Sequence, residues 1–320
     1  MSSDNLPDDF KALRRLTNGY WSSRVLITAN NFGLFDRLVK PATAGEVASA
    51  AGIKERAAFL ILNALTGLGL LKKKGNKYIN APISSRLLIK GSPYYQGDII
   101  RHADSLWENW SGLDDVLKTG GPHREAHDHH AFIMGMHNIA VFKAKAVIDA
   151  VGMKGIKTAL DLGGGPGTYS EEMAGRGVSV TLFDTPETIE IARERLKKTG
   201  IGGIRLVEGD FLANDFAGTY DLILISQIFH AYSEKGIIPI LKKSIKSLNP
   251  GGRAVIQEFY LKEDMAQPSH SSLFAINMLV NTAGGRCYTV KELKAFLRQT
   301  GFRNIKSKIM VDTVLVEGKK

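Results

Sequence analysis

A single cysteine, Cys287, in 320 residues excludes an intrachain disulfide and a thiolate zinc cluster. No apolar run approaches the roughly 18 residues that a membrane-crossing helix requires. No segment repeats, so collagen-like and low-complexity architectures are out. The opening residues, MSSDNLPDD, lack both the basic start and the apolar stretch of a secretory signal, so the expected place of action is the cytoplasm. Acidic residues are in the minority, 32 Asp+Glu against 42 Lys+Arg, which leaves a net charge of +10. A basic balance permits nucleic acid or acidic small molecules as partners. The densest clusters, Lys72 to Lys74 and Lys242–Lys243, carry no aromatic residues at stacking spacing and read as a solubilising surface. With 44% hydrophobic residues the chain has ample material for a core, and its length allows about two domains.

The first 120 residues read as helices plus one small hairpin. Val25, Leu26, Phe32, Leu34, Phe35 and Leu38 cluster at helical spacing around a break near Gly33. Thr43 with Glu46 three residues later forms a capping-box start, and Gly52 is a candidate C-cap. A second helix spans about 54–68, and two short strands follow, turning at Gly75–Asn76. Helix–turn–helix plus hairpin is a winged-helix pattern, which raises DNA binding. Base reading, however, calls for Arg, Lys, Asn or Gln along one helix face. Residues 54–68 offer only Lys54, Glu55, Arg56, Asn63 and Thr66 among apolar neighbours, so dimerisation or a lid fits that helix better.

From about residue 130 strands and helices alternate. Strands are predicted at 158–162, 179–184, 204–208, 220–226 and 253–260, with helices at 169–175, 187–199, 234–248 and 290–300. The uninterrupted apolar run at 222–225 marks a strand buried on both faces, hence a parallel sheet. Residues 302–308 and 312–317 read as a closing antiparallel pair. The expected domains are 1–120, helical with a winged helix, and 121–320, doubly wound α/β.

The first strand ends in DLGGGPG over 161–167, which places Gly163, Gly165 and Gly167 as G-x-G-x-G. Dinucleotide binders use G-x-G-x-x-G to set a pyrophosphate on a helix N-terminus. Here Asp161 immediately precedes the loop; a carboxylate there would repel pyrophosphate and suit an ammonium or sulfonium group. The second strand ends at Asp184, placed for two ribose hydroxyls, and the third leads to Asp210, placed for an adenine amine, with Phe211 beside the ring. A cationic nucleoside without phosphates is S-adenosylmethionine.

Methyl transfer from a sulfonium is an in-line displacement, so the protein must align the reactants and remove the acceptor's proton. A phenol has a pKa of about 10, and a base near pKa ~7 on the hydroxyl makes transfer feasible at neutral pH. His230, just beyond the fourth strand, stands where such a base belongs in an open α/β sheet. Glu258, at the end of the fifth strand, would hold the imidazole in one tautomer. The histidines His123, His127, His129, His130 and His137 follow Gly120, Gly121 and Pro122 and read as a solvated interdomain linker rather than a metal site. Phe132, Met134, Met136 and Phe142 fall on one predicted helix and serve core or pocket.

These motifs resemble the S-adenosylmethionine-dependent O-methyltransferases of the plant caffeate and flavonoid type, with their bacterial and acetylserotonin-type relatives. The likeness covers nearly the whole chain: the winged-helix region, the loop at 161–167, FDTP at 183–186, GDF at 209–211, FHAYS at 229–233, LNPGG at 248–252 and Glu258. It implies a Rossmann-like catalytic domain, a homodimer formed through the N-terminal domain, and a small hydroxylated, aromatic acceptor bound between domains. It implies that Gly163 and Gly165 flank the methionine part of the cofactor, Asp184 takes the ribose, Asp210 the adenine, His230 is the general base and Glu258 orients it. Met136 matches a methionine lining the acceptor pocket, and Ser226 falls where plant members carry a lysine near the adenine. Plant members also have Asp-Trp where this chain has Ala231–Tyr232, and a second glutamate where it has Cys287. Rival readings are a cofactor-binding relative that does not methylate, a nucleic-acid-binding or RNA-modifying protein, and, disfavoured by Asp161, a nicotinamide oxidoreductase. No metal, membrane or nucleic acid is expected.

Overall fold

The apolar runs build the sheet where they were expected. The computed structural model describes residues 6–124 and 128–320; the first five residues and His127 lie outside the described residues. Two compact units emerge, residues 1–104 and 105–320. The division falls between Asp104 and Ser105, within a helix, and not at residue 120.

The first unit contains α1 (Leu6–Thr17), α2 (Gly19–Asn31), α3 (Leu34–Arg37), β1 (Ala42–Thr43), α4 (Ala44–Ala51), α5 (Glu55–Gly67), β2 (Leu71–Lys74), β3 (Lys77–Asn80), α6 (Pro82–Leu87) and the start of α7 (Gly97–Ser111). Thr43 caps α4 in a full capping box with Glu46, and Gly52 ends it at φ 68°, a left-handed position where glycine carries no Cβ penalty. The α4–α5 pair and the β2–β3 hairpin, with β1 on the outer side of β3, complete the winged helix. Helix α5 buries Ala58, Leu62 and Leu65 and leaves Phe59 and Leu60 exposed, so its outer face is apolar rather than base-reading. Helix α1 buries nothing and exposes Leu6, Phe10, Leu13 and Leu16.

The second unit continues through α8 (Leu113–Thr119), α9 (His129–Ala140) and α10 (Ala144–Val151) into the alternating elements. These are β4 (Thr158–Leu162), α11 (Thr168–Ala174), β5 (Ser179–Asp184), α12 (Pro186–Lys197), β6 (Ile204–Glu208), β7 (Tyr220–Ser226), α13 (Glu234–Lys246), β8 (Leu248–Phe259), α14 (Ser269–Asn281), α15 (Val290–Gln299), β9 (Arg303–Ile309) and β10 (Thr313–Lys319). Seven strands stand in the order β6-β5-β4-β7-β8-β10-β9; the first five are parallel, β10 runs against them, and the edge strand β9, antiparallel to β10, runs with the first five again. Strand β8 starts at Leu248, not at 253. Tyr220 pairs with Leu248 and Leu222 with Arg253, so the polar turn-like residues 249–252 are absorbed as a register shift.

Each face of the sheet has its own core. Leu160, Leu162, Ile223, Ile225, Ala254 and Ile256 pack with Ile237, Ile240, Leu293 and Phe296 of α13 and α15. Ala159, Leu222, Leu224 and Val255 pack with Val147, Ile148, Tyr169 and Met173 of α10 and α11. The order of connection reverses between β4 and β7, which opens the crevice where doubly wound sheets place their ligands. Among the described residues no single helix is long and apolar enough to cross a membrane.

Candidate active site

Both arms of the crevice carry the expected residues. On one side the loop after β4 rises over the sheet with Gly163, Gly165 and Gly167 at φ 66°, 54° and 78°, a region that L side chains rarely adopt. The Gly163 N–H donates to the Phe183 carbonyl at 2.8 Å, and the Gly165 N–H to Asp184 Oδ2 at 2.8 Å. Asp184 Oδ1 accepts the Thr185 N–H at 2.8 Å. Each carboxylate oxygen thus spends one lone pair on the backbone, and the Thr188 hydroxyl lies beside the same carboxylate. Burial pushes the Asp184 carboxyl upward, against those two hydrogen bonds. A Cβ on Gly165 would meet nothing within 4 Å, so the peptide faces open space that a ligand can enter. This bare backbone beside a polar carboxylate fits an uncharged ribose and an amino-acid moiety.

Asp210 follows β6 at the rim, exposed, with Oδ1 accepting the Leu212 N–H at 2.8 Å. The Gly209 N–H donates to the Asp184 carbonyl, which keeps the two aspartate turns side by side. Phe211 is buried, edge-on to Tyr232 with centroids 5.9 Å apart. The Tyr232 phenol is pushed up by burial first, then by the charges of Asp210 and Asp184.

Asp161 is turned inward. Its side chain is fully buried; a Cβ on Gly164 would lie 2.9 Å from its Cγ, so the carboxyl sits beneath the loop. Oδ2 accepts from Ser170 Oγ at 2.7 Å, Oδ1 has no hydrogen-bond partner, and burial raises the pKa to about 6. Strand alternation turns Asp161 to the face covered by α11. From there the carboxyl supports the loop through Ser170 at the start of α11. The Ser226 hydroxyl is likewise directed inward, donating to Gln257 Oε1 at 2.8 Å.

On the other arm, β7 runs into a 3-10 turn, Phe229–Ala231, that carries His230. The Glu258 side chain reaches it from β8 and is 3% exposed. Oε1 accepts the N–H groups of Phe229 at 2.7 Å and His230 at 3.2 Å, while Oε2 lies 2.8 Å from His230 Nδ1. An acceptor at Nδ1 assigns the proton to that nitrogen and leaves the Nε2 lone pair outward. Aromatic rings wall the imidazole: Phe274 of α14 stands edge-on at 5.0 Å, Phe259 lies at 5.7 Å, and the two phenylalanines are 4.2 Å apart. Trp110 Nε1 donates to Asn277 on the same helix at 2.9 Å. The departure at 284–287 has a structural part: a Cβ on Gly285 would come within 2.3 Å of the His230 carbonyl, so this segment packs on the base-bearing turn. Cys287 is buried there, and burial with the nearby Glu258 pushes its thiol up to about 12.

Two further features escaped the sequence reading. Residues 129–137 are no solvated linker: Asp128 caps α9 through the Ala131 N–H at 2.9 Å, and the helix buries Ala131, Ile133 and Gly135. His129 and His137 meet Thr188 and Thr168 at 3.1 and 2.8 Å, His130 is exposed, and His123 packs on Gly112. Phe132 and Met136, four apart on α9, are both part-exposed. Gln227, immediately after β7, has φ 58°, and both its amide atoms are buried without a hydrogen-bond partner. Strain and an amide without a partner among the described residues single out Gln227 as a candidate site residue, and no sequence pattern announces it.

Comparison with known proteins now bears on the crevice. A family model described as the O-methyltransferase domain matches residues 95–303, and one described as the O-methyltransferase dimerisation domain matches residues 14–90. The chain belongs to the O-methyltransferase family. The cofactor of this methyltransferase is S-adenosylmethionine. It is 29% identical to 3-hydroxy-5-methyl-1-naphthoate 3-O-methyltransferase of Streptomyces sahachiroi, covering 92% of this chain and 90% of the relative. It is 28% identical to acetylserotonin O-methyltransferase of Gallus gallus, covering 90% and 91%. The fold is shared with human N-acetylserotonin methyltransferase, solved in complex with SAM, at TM-score 0.89 and 24% identity over 100% of this chain and 99% of that one.

Proposed function

We propose that the methyltransferase methylates a hydroxyl of an aromatic small molecule, with His230 as general base and Glu258 as its orienting partner. The observation that carries this reading is the Glu258 carboxylate, which grips the imidazole at 2.8 Å and the two backbone N–H groups of the same turn. When bound, S-adenosylmethionine supplies an electrophilic methyl group. Gly163 and Gly165 would border its methionine part, Asp184 would accept the two ribose hydroxyls on its remaining lone pairs, and Asp210 with Phe211 would receive the adenine. Ser226 would border that side through its position, its hydroxyl being given to Gln257. His230 Nε2 would take the acceptor's proton as the acceptor oxygen bonds the methyl carbon and the carbon–sulfur bond breaks, the electron pair leaving with a neutral thioether, and Glu258 would stabilise the resulting imidazolium. Phe259 and Phe274 would hold a flat ring beside Nε2, and Phe132 and Met136 would line the acceptor's path. The naphthoate and acetylserotonin names of the relatives agree with an aromatic acceptor.

The N-terminal unit would form a homodimer, with residues up to about 120 serving assembly. The exposed Leu6, Phe10, Leu13 and Leu16 face of α1 and the match to a dimerisation domain support that role. Calorimetric titration with S-adenosylhomocysteine, followed by an acceptor screen with His230→Ala as blank, tests the reading. Expected are micromolar binding in both proteins and a loss of turnover by about 10²–10⁴ in the variant; turnover retained in His230→Ala would remove the base.

A further inference from the structure

The glycine loop is also gripped from behind. Arg195, in the last turn of α12, is 9% exposed. Its Nε donates to the Pro166 carbonyl at 2.6 Å, and its Nη2 to Glu171 Oε2 on α11 at 2.7 Å. Two residues past Pro166, Thr168 Oγ1 shares a hydrogen bond of 2.8 Å with His137 Nδ1 of α9. Between these two anchors lies Gly167 at φ 78°, where a Cβ would strike Leu182 and Leu196 at 2.9 and 3.0 Å. His137 is pushed down to about 4, by burial first and then by the charge of Arg195, so it stays a neutral imidazole over the working pH range.

A buried guanidinium is a poor way to gain stability, since an apolar side chain of similar volume usually serves as well or better. What it offers here is directional: a fork that fixes one loop carbonyl relative to one helix. The loop needs such fixing, because glycines at positive φ lose more backbone freedom on ordering than any other residue. Preorganisation then appears in binding, where each group ordered in advance is one fewer to order with the ligand.

We infer that Arg195 and His137 are positioning residues of the cofactor site, forming a brace that holds the loop at 163–167 in its ligand-accepting shape. The inference rests on that loop being the cofactor cradle. Each acts through a loop atom, Arg195 through Pro166 O and His137 through Thr168 Oγ1. The histidine-rich stretch thereby acquires a role unrelated to metal: α9 carries one end of the brace.

Four variants test it: Arg195→Met and His137→Phe remove the anchors, while Arg195→Lys keeps a donor on a shorter arm and His137→Gln keeps an amide able to donate to or accept from Thr168. The Kd for S-adenosylhomocysteine by calorimetry, the KM for S-adenosylmethionine, kcat at saturating substrates, and Tm are measured for each. Expected is a rise in Kd and KM of about tenfold or more in Arg195→Met, the scale of one charge-assisted hydrogen bond, and of about threefold to tenfold in His137→Phe, the scale of a neutral one. Their kcat stays within about threefold, and Lys and Gln recover most of the affinity. A Tm lowered in Arg195→Met and His137→Phe with Kd within about twofold of wild type means ordinary structural residues and overturns the brace. Should Arg195→Met not fold, the His137→Phe and His137→Gln pair decides alone. Wild type that fails to bind S-adenosylhomocysteine overturns the cradle itself; wild type that binds beside variants that bind equally well overturns only the brace.

Discussion

Glu258→Gln changes one oxygen to nitrogen in a buried site and removes almost no volume. In the native protein Oε1 accepts two backbone N–H groups and Oε2 faces His230 Nδ1. The glutamine amide satisfies the backbone with its oxygen and then must turn its NH₂ toward the ring. Two N–H groups facing each other in a buried site cost about 1–3 kcal/mol, so the imidazole moves its proton to Nε2 and accepts at Nδ1 instead. In that tautomer the nitrogen facing the acceptor has no lone pair. Reaction through the disfavoured tautomer then carries that penalty, plus the lost charge-assisted hydrogen bond to the imidazolium, about 1.5–3 kcal/mol. Together these amount to roughly 2.5–6 kcal/mol, or a fall in kcat of about 10²–10⁴. The assay is kcat at saturating S-adenosylmethionine and acceptor, with S-adenosylhomocysteine affinity and Tm as controls that stay near wild type. A variant with intact affinity whose kcat lies within about threefold of wild type would refute the tautomer argument.

Other outcomes follow from the same geometry. Asp161 has a folded pKa raised to about 6 from 3.8, so the folded state holds the proton more tightly, and stability falls as pH rises through that interval. Asp161→Asn should flatten this slope, seen as a change in the variant-minus-wild-type unfolding free energy between pH 4 and 7 by urea titration (pH values set about the interval); a constant difference speaks against it. Gln227→Gly relieves a left-handed φ and should raise stability by up to about 1 kcal/mol while weakening S-adenosylhomocysteine binding; a variant neither more stable nor weaker in binding rejects the functional role of the strain. The Cys287 thiol, buried and pushed up to about 12, should resist a thiol reagent at about pH 8 in the folded protein and react once unfolded. Stoichiometric labelling of the folded form counts against the burial argument.

Strands β4 to β7 were legible to the residue because continuous apolar runs between turn residues admit little else. The capping box at Thr43–Glu46 was legible for the same local reason, and an identical one at Thr289–Glu292 could have been read from its spacing. Residues 249–252 misled, since Pro250, Gly251 and Gly252 signal a turn, whereas the pairing of β8 with β7 absorbs them as an irregularity. The glycine loop, His230 and Glu258 were visible as positions. The facing of Asp161 was not: β4 is buried on both sides, so its alternation leaves no polar–apolar record of which face is which. The linker reading of the histidines gave weight to Gly120, Gly121 and Pro122 and overlooked Asp128 as an N-cap. Gln227 had no signal, because its strain arises from how β7 meets the next turn.

The two backbone N–H groups on Asp184 bear on which nucleosides the protein can tell apart. With Gly165 and Thr185 already attached and the Thr188 hydroxyl beside it, the carboxylate has few lone pairs left to offer, so the proposed ribose grip would be a pair of single hydrogen bonds. Deleting either hydroxyl from the sugar leaves one buried lone pair without a donor, a loss that a flexible or over-supplied carboxylate would have redistributed. On the proposed grip the carboxylate would count sugar hydroxyls, and deoxyribose analogues would be poor ligands however well their base and amino-acid ends fit.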